Sequence, residues 1–375
     1  MTSICFVGLD SYPVLNPACG SAYVGGESVQ QTLLAREFAR QGFSVSMVVT
    51  DCGQPAGEII DGIRVLPCYR PQAGMPGLRF LYPRASGLLA AMARADADIY
   101  YQSCAGLPTG LAAWHCRRRG RFFVFRVAHD TDCLPGRQLI RFWRDRRLYE
   151  YGLRRSHLVA AQSLTQASWL RQHYGLDSPV VDMVVEIPPE VPRERDIDVL
   201  WVNNLRPFKR PELAVELARR LAPARVTMIG GPCLGAEALY QEIAQTAAQV
   251  ANLDFRGFIP YHQVNAFYGR AKVLVNTSDS EGFPNSFLQA WARGTPVVSF
   301  FDPDGLLGRL GLGRRPPDLD GMVAAVSGLL AGGEARAAMG ERGRAFVEQH
   351  HAPAAVVRRY CRLLAERGAR LPGRC

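Results

Sequence analysis

The strongest constraint on the fold is a repeated alternation of short apolar runs with amphipathic helical segments, each bounded by glycine or proline. In the first half, predicted strands lie at 4–9, 43–49, 99–101, 122–127 and 158–161. The pattern restarts in the second half, with predicted strands at 199–202, 226–229, 253–255, 273–276 and 297–301. Strands separated by helices are typical of a parallel sheet covered on both faces. The chain is therefore predicted to form two similar α/β units in tandem.

A stiff connector separates the two halves, because Pro188, Pro189 and Pro192 fall within the short stretch 187–192. A chain of 375 residues is too long for one core and suits two domains. We predict a first domain at 1–190, a second at 191–350 and a helical segment at 351–375. That last segment is expected to pack back toward the first domain. One helix is predicted to begin at Gly25-Gly26-Glu27 and to end at Gly42, and the stretch from 341 to 364 is predicted to be helical.

The net charge is +10, and nearly all of the cations are arginine, which we interpret as codon bias. A basic stretch at 137–155 interleaves arginines with apolar residues. It fits either a solvated helix with one core face or a helix lying on an anionic membrane surface. No nucleic-acid reading motif accompanies the charge. No run approaches the roughly 18 apolar residues of a membrane span, so we expect a cytoplasmic protein, with a peripheral position at the inner face of the membrane as the alternative.

Ten cysteines are scattered along the chain without a C-x-x-C pair, which argues against a disulfide framework or a zinc site. No Asp-x-Asp motif stands where it would hold a diphosphate through a metal. Asp302-Pro303-Asp304 has the letters, but it follows a late strand and reads as a turn. We therefore expect no metal and no cofactor.

The loop at 280–291 carries the most chemistry. Glu281 stands on a tight Gly282-Phe283-Pro284 loop that opens into a helix at Asn285. The first amides of a helix have no partner inside it and suit an anion. The carboxylate beside them would repel a phosphate, whereas sugar hydroxyls donate to carboxylates. A phosphate joined to a sugar is therefore the predicted ligand.

These motifs resemble those of the GT-B glycosyltransferases of the family 4 type, over nearly the whole chain and most closely in its second half. The family's Glu-x7-Glu motif is matched by Glu281 at the first position and by Gln289 at the second. The basic segment 205–212 and the pairs Gly230-Gly231 and Gly257-Phe258 also match. The resemblance implies two Rossmann-like, doubly wound domains with a central cleft. It also implies transfer of a sugar from a UDP- or GDP-sugar to a hydroxyl acceptor, with retention of configuration.

In the second half, the resemblance implies that Lys209 contacts the donor diphosphate and that Glu281 grips the donor sugar. Gln289 stands where the family has a second Glu that binds ribose, and Asn204 where it has an Arg, which leaves Arg206 as the nearest substitute. The other implied donor-binding residues are Gly230, Gly231, Phe258, Ile259, Gly282, Phe283, Pro284, Asn285 and Ser286. The backbone amides of Phe283 and 285–287 are expected to hold sugar and phosphate oxygens.

In the first half, the resemblance places His129 near the reacting sugar. Asp130 either orients His129 or caps the next turn. Gly25 and Gly26 match a flexible loop that approaches the donor phosphate and the acceptor. Weaker candidates for acceptor contacts lie at the ends of the predicted strands: Tyr101, Gln102, Ser163 and Gln166.

The implied acceptor is a saccharide or a lipid-linked molecule, in the synthesis of a cell-surface polysaccharide, exopolysaccharide or glycolipid. Two other functions stay open at this point. A nucleotide-sugar epimerase uses the same pair of domains, although its carboxylate and histidine sets are not found here. A non-catalytic or weakly active partner in a polysaccharide assembly complex would be consistent with Asn204 and Gln289.

Overall fold

The computed structural model describes residues 2–19, 25–192, 194–233 and 235–371. They divide into two compact units. The first unit consists of residues 2–19, 25–184 and 353–371, and the second consists of the described residues of 185–352.

The first unit is built on a seven-stranded sheet in the order β3-β4-β2-β1-β5-β6-β7. Its strands are β1 (Ser3–Val7), β2 (Ser44–Val49), β3 (Ile59–Ile60), β4 (Ile63–Pro67), β5 (Ile99–Ser103), β6 (Phe122–Arg126) and β7 (Leu158–Ala160). Its first six helices are α1 (Tyr12–Leu15), α2 (Gly26–Arg40), α3 (Ser86–Ala95), α4 (Leu107–Arg119), α5 (Trp143–Arg155) and α6 (Leu164–Tyr174). All neighbouring strands are parallel except β3 and β4. The predicted parallel sheet is therefore confirmed, and the small antiparallel pair is an addition to it.

The second unit has a fully parallel six-stranded sheet in the order β10-β9-β8-β11-β12-β13. Its strands are β8 (Ile197–Val202), β9 (Val226–Ile229), β10 (Leu253–Gly257), β11 (Ala271–Asn276), β12 (Val297–Ser299) and β13 (Gly313–Arg314). Its helices are α7 (Pro211–Arg220), α8 (Glu237–Ala247), α9 (Tyr261–Arg270), α10 (Asn285–Trp291), α11 (Leu306–Arg309), α12 (Leu319–Ala331) and α13 (Gly333–His350). The strand order is the 3-2-1-4-5-6 arrangement of the Rossmann fold, whose direction of winding reverses between β8 and β11.

The last helix, α14 (Pro353–Glu366), belongs to the first unit. The ring of Tyr360 lies 5.9 Å from that of Tyr101 and 6.3 Å from that of Phe38, and Leu363 and Leu364 are buried. The stretch from 341 to 364 is helical as predicted, and it is divided between α13, which ends at His350, and α14, which starts at Pro353. Proline has no amide hydrogen to donate and is therefore suited to the first turn of a new helix.

The two units meet in the chain at Val184 and Val185, a few residues before the predicted boundary at 190. The backbone of Val184 exchanges two hydrogen bonds of 2.8 Å with the side-chain amide of Gln30, in the first unit. The amide of Val185 donates to the carbonyl of His351, in the second unit (3.1 Å). The hydrogen-bond partners of the backbone change from the first unit to the second at 184–185, before the proline-rich stretch begins at 188. The prolines therefore did not mark where the two units divide.

Two further predictions concern helix ends. Gly42 follows the end of α2 with φ +86°, a left-handed conformation that glycine adopts without strain, as predicted. The basic helix expected from 137 begins only at Trp143, because Phe142 is extended.

Among the described residues, no helix is both long and apolar enough to cross a bilayer. Within the described parts of the chain, eight cysteines are free thiols, whereas Cys361 on α14 is disulfide-bonded, which was not expected.

Candidate active site

The predicted donor-binding residues of the second unit follow the carboxyl ends of β8 and β11. These two strands are neighbours in the sheet, although many residues separate them in the chain. Their loops leave the sheet at the point where its winding reverses, which is where doubly wound sheets bind ligands. The loop after β8 carries Lys209, and the loop after β11 carries Glu281.

The structure brings Lys209 and Glu281 into direct contact. Lys209 Nζ donates to Glu281 Oε2, and both side chains are largely buried. The other carboxylate oxygen, Oε1, accepts from Ser278 Oγ (2.6 Å) and from Asn276 Nδ2 (3.3 Å). The ammonium neutralises the carboxylate, so a phosphate beside this pair would not meet an isolated negative charge.

The backbone around Lys209 is held by a side chain that the sequence analysis missed. Thr277 Oγ1 donates to the carbonyls of Lys209 (2.8 Å) and Arg210 (3.0 Å), and it accepts from Trp201 Nε1 (3.0 Å). Thr277 and Trp201 are fully buried. The position of the lysine is therefore set from the core of the second unit, which makes Lys209 a preorganised cation.

Arg206 follows β8, and the pair Gly230-Gly231 follows β9, so they lie at the same carboxyl edge of the second sheet. Arg206 Nε donates to Cys233 Sγ (3.4 Å), and the amide of Leu205 donates to the carbonyl of Gly231 (3.1 Å). A Cβ built on Gly230 would lie 2.0 Å from the carbonyl oxygen of Asn203. Glycine is therefore required at 230 because the loops after β8 and β9 approach each other closely.

The Gly282-Phe283-Pro284 loop leads into α10 as predicted, and this helix has seven residues. The amide of Phe287 donates to the carbonyl of Pro284 (3.1 Å), so the expectation that this amide holds a ligand oxygen was wrong. The ring of Phe283 lies 5.5 Å from that of His351 and 6.4 Å from that of Trp291. Its side chain therefore packs inside the second unit. Asn285 and Ser286 form the first turn of α10.

Gln289 lies on α10 and is buried. Its side-chain Nε2 donates to Asn265 Oδ1 on α9 (3.0 Å). The amide group is thus held with its nitrogen toward the protein, and only its oxygen is suited to accept from a ribose hydroxyl. Phe258 and Ile259 follow β10 and are half-buried. The amide of Gly230 donates to the carbonyl of Gly257 (2.9 Å). The loop that carries Phe258 and Ile259 is therefore adjacent to the loop after β9.

In the first unit, His129 caps a short turn that follows β6. The amide of Thr131 donates to His129 Nδ1 (3.2 Å), and Thr131 Oγ1 lies 3.0 Å from the same nitrogen. An Nδ1 that accepts an amide hydrogen leaves the proton of a neutral imidazole on Nε2. The geometry therefore assigns His129 as a hydrogen-bond donor through Nε2 when the ring is neutral.

Asp132, not Asp130, holds the backbone of His129. Asp132 Oδ2 accepts from the amides of Ala128 and His129, both at 3.1 Å. Burial raises the pKa of Asp132 to about 6, and these two amide bonds oppose the shift. Asp130 Oδ1 instead accepts from Gln166 Nε2 (2.9 Å). This contact ties Asp130 to α6. It matches neither of the two predicted roles, which were to orient His129 or to cap the next turn.

The weaker candidates for acceptor contacts lie inside the first unit. Gln166 is fully buried, and Ser163 caps α6 by accepting from the Gln166 amide (3.1 Å). Tyr101 is buried beneath Tyr360, and Gln102 donates to the carbonyl of Cys104 (2.8 Å). All four side chains are buried in the first unit, and that they contact the acceptor stays a prediction.

Gly25 precedes α2 with an extended backbone, and Gly26 is its first residue. The next residue, Glu27, has a buried carboxyl group whose Oε1 has no hydrogen-bond partner. Burial raises the pKa of Glu27 to about 7. The Arg126 guanidinium and the Ser103 hydroxyl oppose this shift, and the Asp132 carboxylate adds to it. Arg126 is itself buried at the end of β6 and donates to the carbonyl of Val181 (3.2 Å).

Two family models match the chain. The Glycosyltransferase Family 4 model matches residues 24–195, and the Glycosyl transferases group 1 model matches residues 185–346. Together they follow the two units along the chain. The chain belongs to the GT-B glycosyltransferases of the family 4 type.

Solved structures share the fold of this chain. A sucrose-phosphate synthase from Thermosynechococcus elongatus aligns with a TM-score of 0.74 at 17% identity, covering 98% of this chain and 99% of the other. Anabaena HepE, solved with UDP and glucose, aligns with a TM-score of 0.73 at 15% identity, covering 97% and 100%. At these identities the likeness shows the fold, and the predicted pair of Rossmann-like domains is confirmed.

Curated relatives of this family 4-type glycosyltransferase are D-inositol 3-phosphate glycosyltransferases. The protein from Geodermatophilus obscurus is 31% identical over 202 residues, which are 45% of each chain. The protein from Mycobacteroides abscessus is 24% identical over 328 residues, 79% of this chain and 73% of the relative. The matched part spans less than half the length of the first relative.

Sequence reasoning found the glycosyltransferase's Lys209 and Glu281 but missed the residues that hold them. Asn276 ends β11, and Thr277 and Ser278 follow it directly, so a polar run at the end of a predicted strand was a usable signal. Asn265, which holds Gln289, and Cys233, which holds Arg206, had no such signal. Among the residues that the structure describes, no group of three histidine, cysteine or acidic side chains is arranged to hold a metal ion.

Proposed function

We propose that this protein transfers a sugar from a nucleotide-sugar donor to a hydroxyl group of a saccharide or lipid-linked acceptor, with retention of configuration. The second unit would bind the donor and the first unit the acceptor. The observation that carries the proposal is the contact between Lys209 and Glu281 at the point where the winding of the second sheet reverses. A cation and a carboxylate held together there suit a ligand with a phosphate group and a hydroxylated ring.

In the proposed reaction, the bond between the anomeric carbon and the diphosphate oxygen breaks, and the electron pair leaves with the diphosphate. Lys209 stabilises the charge that develops on this leaving group, with Arg206 as the second cation. Glu281 accepts hydrogen bonds from hydroxyls of the sugar. The acceptor hydroxyl attacks the anomeric carbon from the face that the nucleotide leaves, and its proton passes to the departing phosphate.

His129 is proposed to donate from Nε2 to an oxygen of the reacting sugar. The Thr131 amide bound at Nδ1 supports this role, because a neutral ring in that tautomer has no free basic nitrogen. Gly25 and Gly26 are proposed to lie near the donor phosphate and the acceptor. Gln289 is proposed to accept from the ribose through its amide oxygen, and Phe258 and Ile259 to contact the base.

The choice of substrates to test follows from the similar proteins. HepE was solved with UDP and with glucose, which makes UDP-glucose the first donor to try, with GDP-sugars beside it. The curated relatives are named for D-inositol 3-phosphate, which makes this polyol phosphate the first acceptor. We place the reaction in the synthesis of a cell-surface polysaccharide, exopolysaccharide or glycolipid.

The test is release of nucleoside diphosphate by the purified protein from a panel of UDP- and GDP-sugars, with and without acceptor. Proton NMR of the product then reports its anomeric configuration. We expect release with at least one donor, a product of the donor's configuration and unchanged turnover in EDTA. An inverted product would refute retention, and lost turnover in EDTA would refute the metal-free mechanism.

A second candidate function is a non-catalytic partner in a polysaccharide assembly complex. It is favoured by Gln289, whose amide nitrogen is bound to Asn265 where the family has a carboxylate. The two functions differ in one measurement. Donor binding by calorimetry, combined with no diphosphate release even with acceptors from a cell extract, would support the partner role and contradict the transferase.

A further inference from the structure

The first unit exposes an unusual concentration of large apolar side chains in two segments, 75–84 and 137–147. Trp143, Tyr82 and Leu139 are about three-quarters exposed, at 75%, 74% and 69%. The other exposed apolar residues in these segments are Met75, Leu78, Leu81 and Phe142. Isolated exposed hydrophobic residues are normal, but a cluster of this kind marks a surface that binds something.

The two segments form one surface because Arg144 joins them. Its guanidinium carbon lies 4.0 Å from the centre of the Phe80 ring and 4.5 Å from the centre of the Phe142 ring. Phe80 comes from the first segment, and Phe142 directly precedes α5 in the second. Stacking of a guanidinium between two rings fixes the apolar groups side by side. We call this combined region the arginine–apolar surface.

The charge of this surface is strongly positive. The two segments contain seven arginines and one acidic residue, Asp145. Asp145 is paired with its neighbour Arg144. Four arginines, Arg79, Arg137, Arg141 and Arg147, are exposed and take part in no salt bridge found within the described parts of the chain. Their charges are therefore available to a partner.

We propose that the arginine–apolar surface binds an anionic lipid bilayer. Aromatic and aliphatic side chains that insert below the headgroups, ringed by arginines that pair with lipid phosphates, are the chemistry that such a surface recognises. The sequence of 137–155 fitted either a solvated helix or a helix on a membrane surface. The structure instead presents the turn before α5 together with a second segment that lies far away in the sequence.

This inference deepens the proposed function, because it places a lipid-linked acceptor at the membrane beside the first unit. It rests on that function only for the identity of the acceptor. Vesicle binding needs neither donor nor turnover, so the two proposals can fail separately.

The test is flotation of the full chain with vesicles of phosphatidylcholine alone or mixed in equal parts with phosphatidylglycerol. We expect binding to the mixed vesicles at low salt, weak binding to the neutral ones and loss of binding as salt rises. The triple variant L81S/L139S/W143S should bind at least about ten-fold more weakly, as expected when several insertions are removed. R137Q/R141Q should bind about ten-fold more weakly and with a shallower salt dependence.

The matched controls change the same residue types elsewhere on the first unit. I59S removes an exposed isoleucine from β3, and R358Q/R359Q removes two exposed arginines from α14. Both should bind vesicles like the wild type. Every variant should keep the wild-type melting temperature and diphosphate release, because the changed side chains are exposed.

Three outcomes would overturn the proposal. The first is that the wild type fails to float with the anionic vesicles. The second is that the triple variant floats as well as the wild type. In the third, sedimentation shows a dimer that the triple variant abolishes while vesicle binding stays low, which would assign the surface to a second copy of this chain.

Discussion

Lys209 and Glu281 form an ion pair between two loops that leave adjacent strands of the second sheet, although the residues are 72 positions apart in the chain. The pair is largely buried, and Ser278 and Asn276 complete the hydrogen bonds of the carboxylate. A buried ion pair often contributes little net stability even when it is well hydrogen-bonded, so its place at the edge of the sheet is better explained by ligand binding than by stability.

We predict that Lys209→Ala lowers sugar transfer by about 10²-fold or more, the scale of losing a charge directed at a developing anion. The measurement is kcat for diphosphate release. Lys272 supplies the control, since it is the only other lysine and is also ion-paired, with Asp198 at 2.6 Å. It lies at the amino end of β11, away from the site. Wild-type turnover in Lys209→Ala, or equal losses in both variants, would refute the leaving-group role.

The ion pair also predicts coupled stability. Glu281→Gln keeps the shape of the side chain but leaves the ammonium of Lys209 without its counter-ion. Lys209→Met leaves the carboxylate alone. We expect each single change to lower the free energy of unfolding and the double change to cost less than their sum, by about 1–3 kcal/mol. Urea unfolding of the four proteins measures this coupling. Strict additivity would mean that the contact contributes nothing.

Gly230→Ala should distort the loops after β8 and β9, which are proposed to bind the donor. The new methyl group would lie 2.0 Å from the Asn203 carbonyl oxygen and 2.5 Å from Leu205 Cδ1. We expect a loss of about 1–3 kcal/mol in the free energy of unfolding and weaker donor binding in a thermal-shift titration. Gly328, in the exposed middle of α12, has no atom within 4 Å of a new Cβ. Gly328→Ala should be neutral or slightly stabilising. If the two variants behave alike, the close approach of the loops is not a constraint.

His129→Ala should lower kcat with little change in donor affinity, because the histidine is proposed to contact the reacting sugar and not the nucleotide. The fall should be about 10-fold or more, the scale of losing a hydrogen bond to the transition state. His173→Ala, on the exposed side of α6, is the control. A large loss of donor affinity in His129→Ala, measured by calorimetry, would instead identify a residue needed for binding or folding.

Glu27 predicts a pH dependence of stability. Its carboxyl pKa rises from 4.5 to about 7 on folding, so the folded chain binds a proton more tightly than the unfolded chain. The resulting stabilisation is complete below pH 4.5 and is lost as the pH rises to about 7, by up to about 3 kcal/mol. Asp132 acts in the same direction.

Glu27→Gln should therefore flatten the fall in unfolding free energy between pH 5 and pH 8, measured by urea unfolding across that range. Glu334→Gln removes an exposed carboxylate at the start of α13 and should keep the slope of the wild type. If Glu27→Gln also keeps that slope, the buried carboxyl is not the source of the dependence.

The sequence by itself determined the alternation of strands and helices, the two Rossmann-like units and the loops that carry Lys209 and Glu281, because apolar periodicity and glycine or proline boundaries act over short distances. The tertiary structure decided which of these residues meet. The pairing of Lys209 with Glu281 and the joining of Phe80 to Phe142 through Arg144 both depend on how the elements of each unit are ordered in space. That order sets contacts between residues far apart in the chain, which a local pattern does not encode.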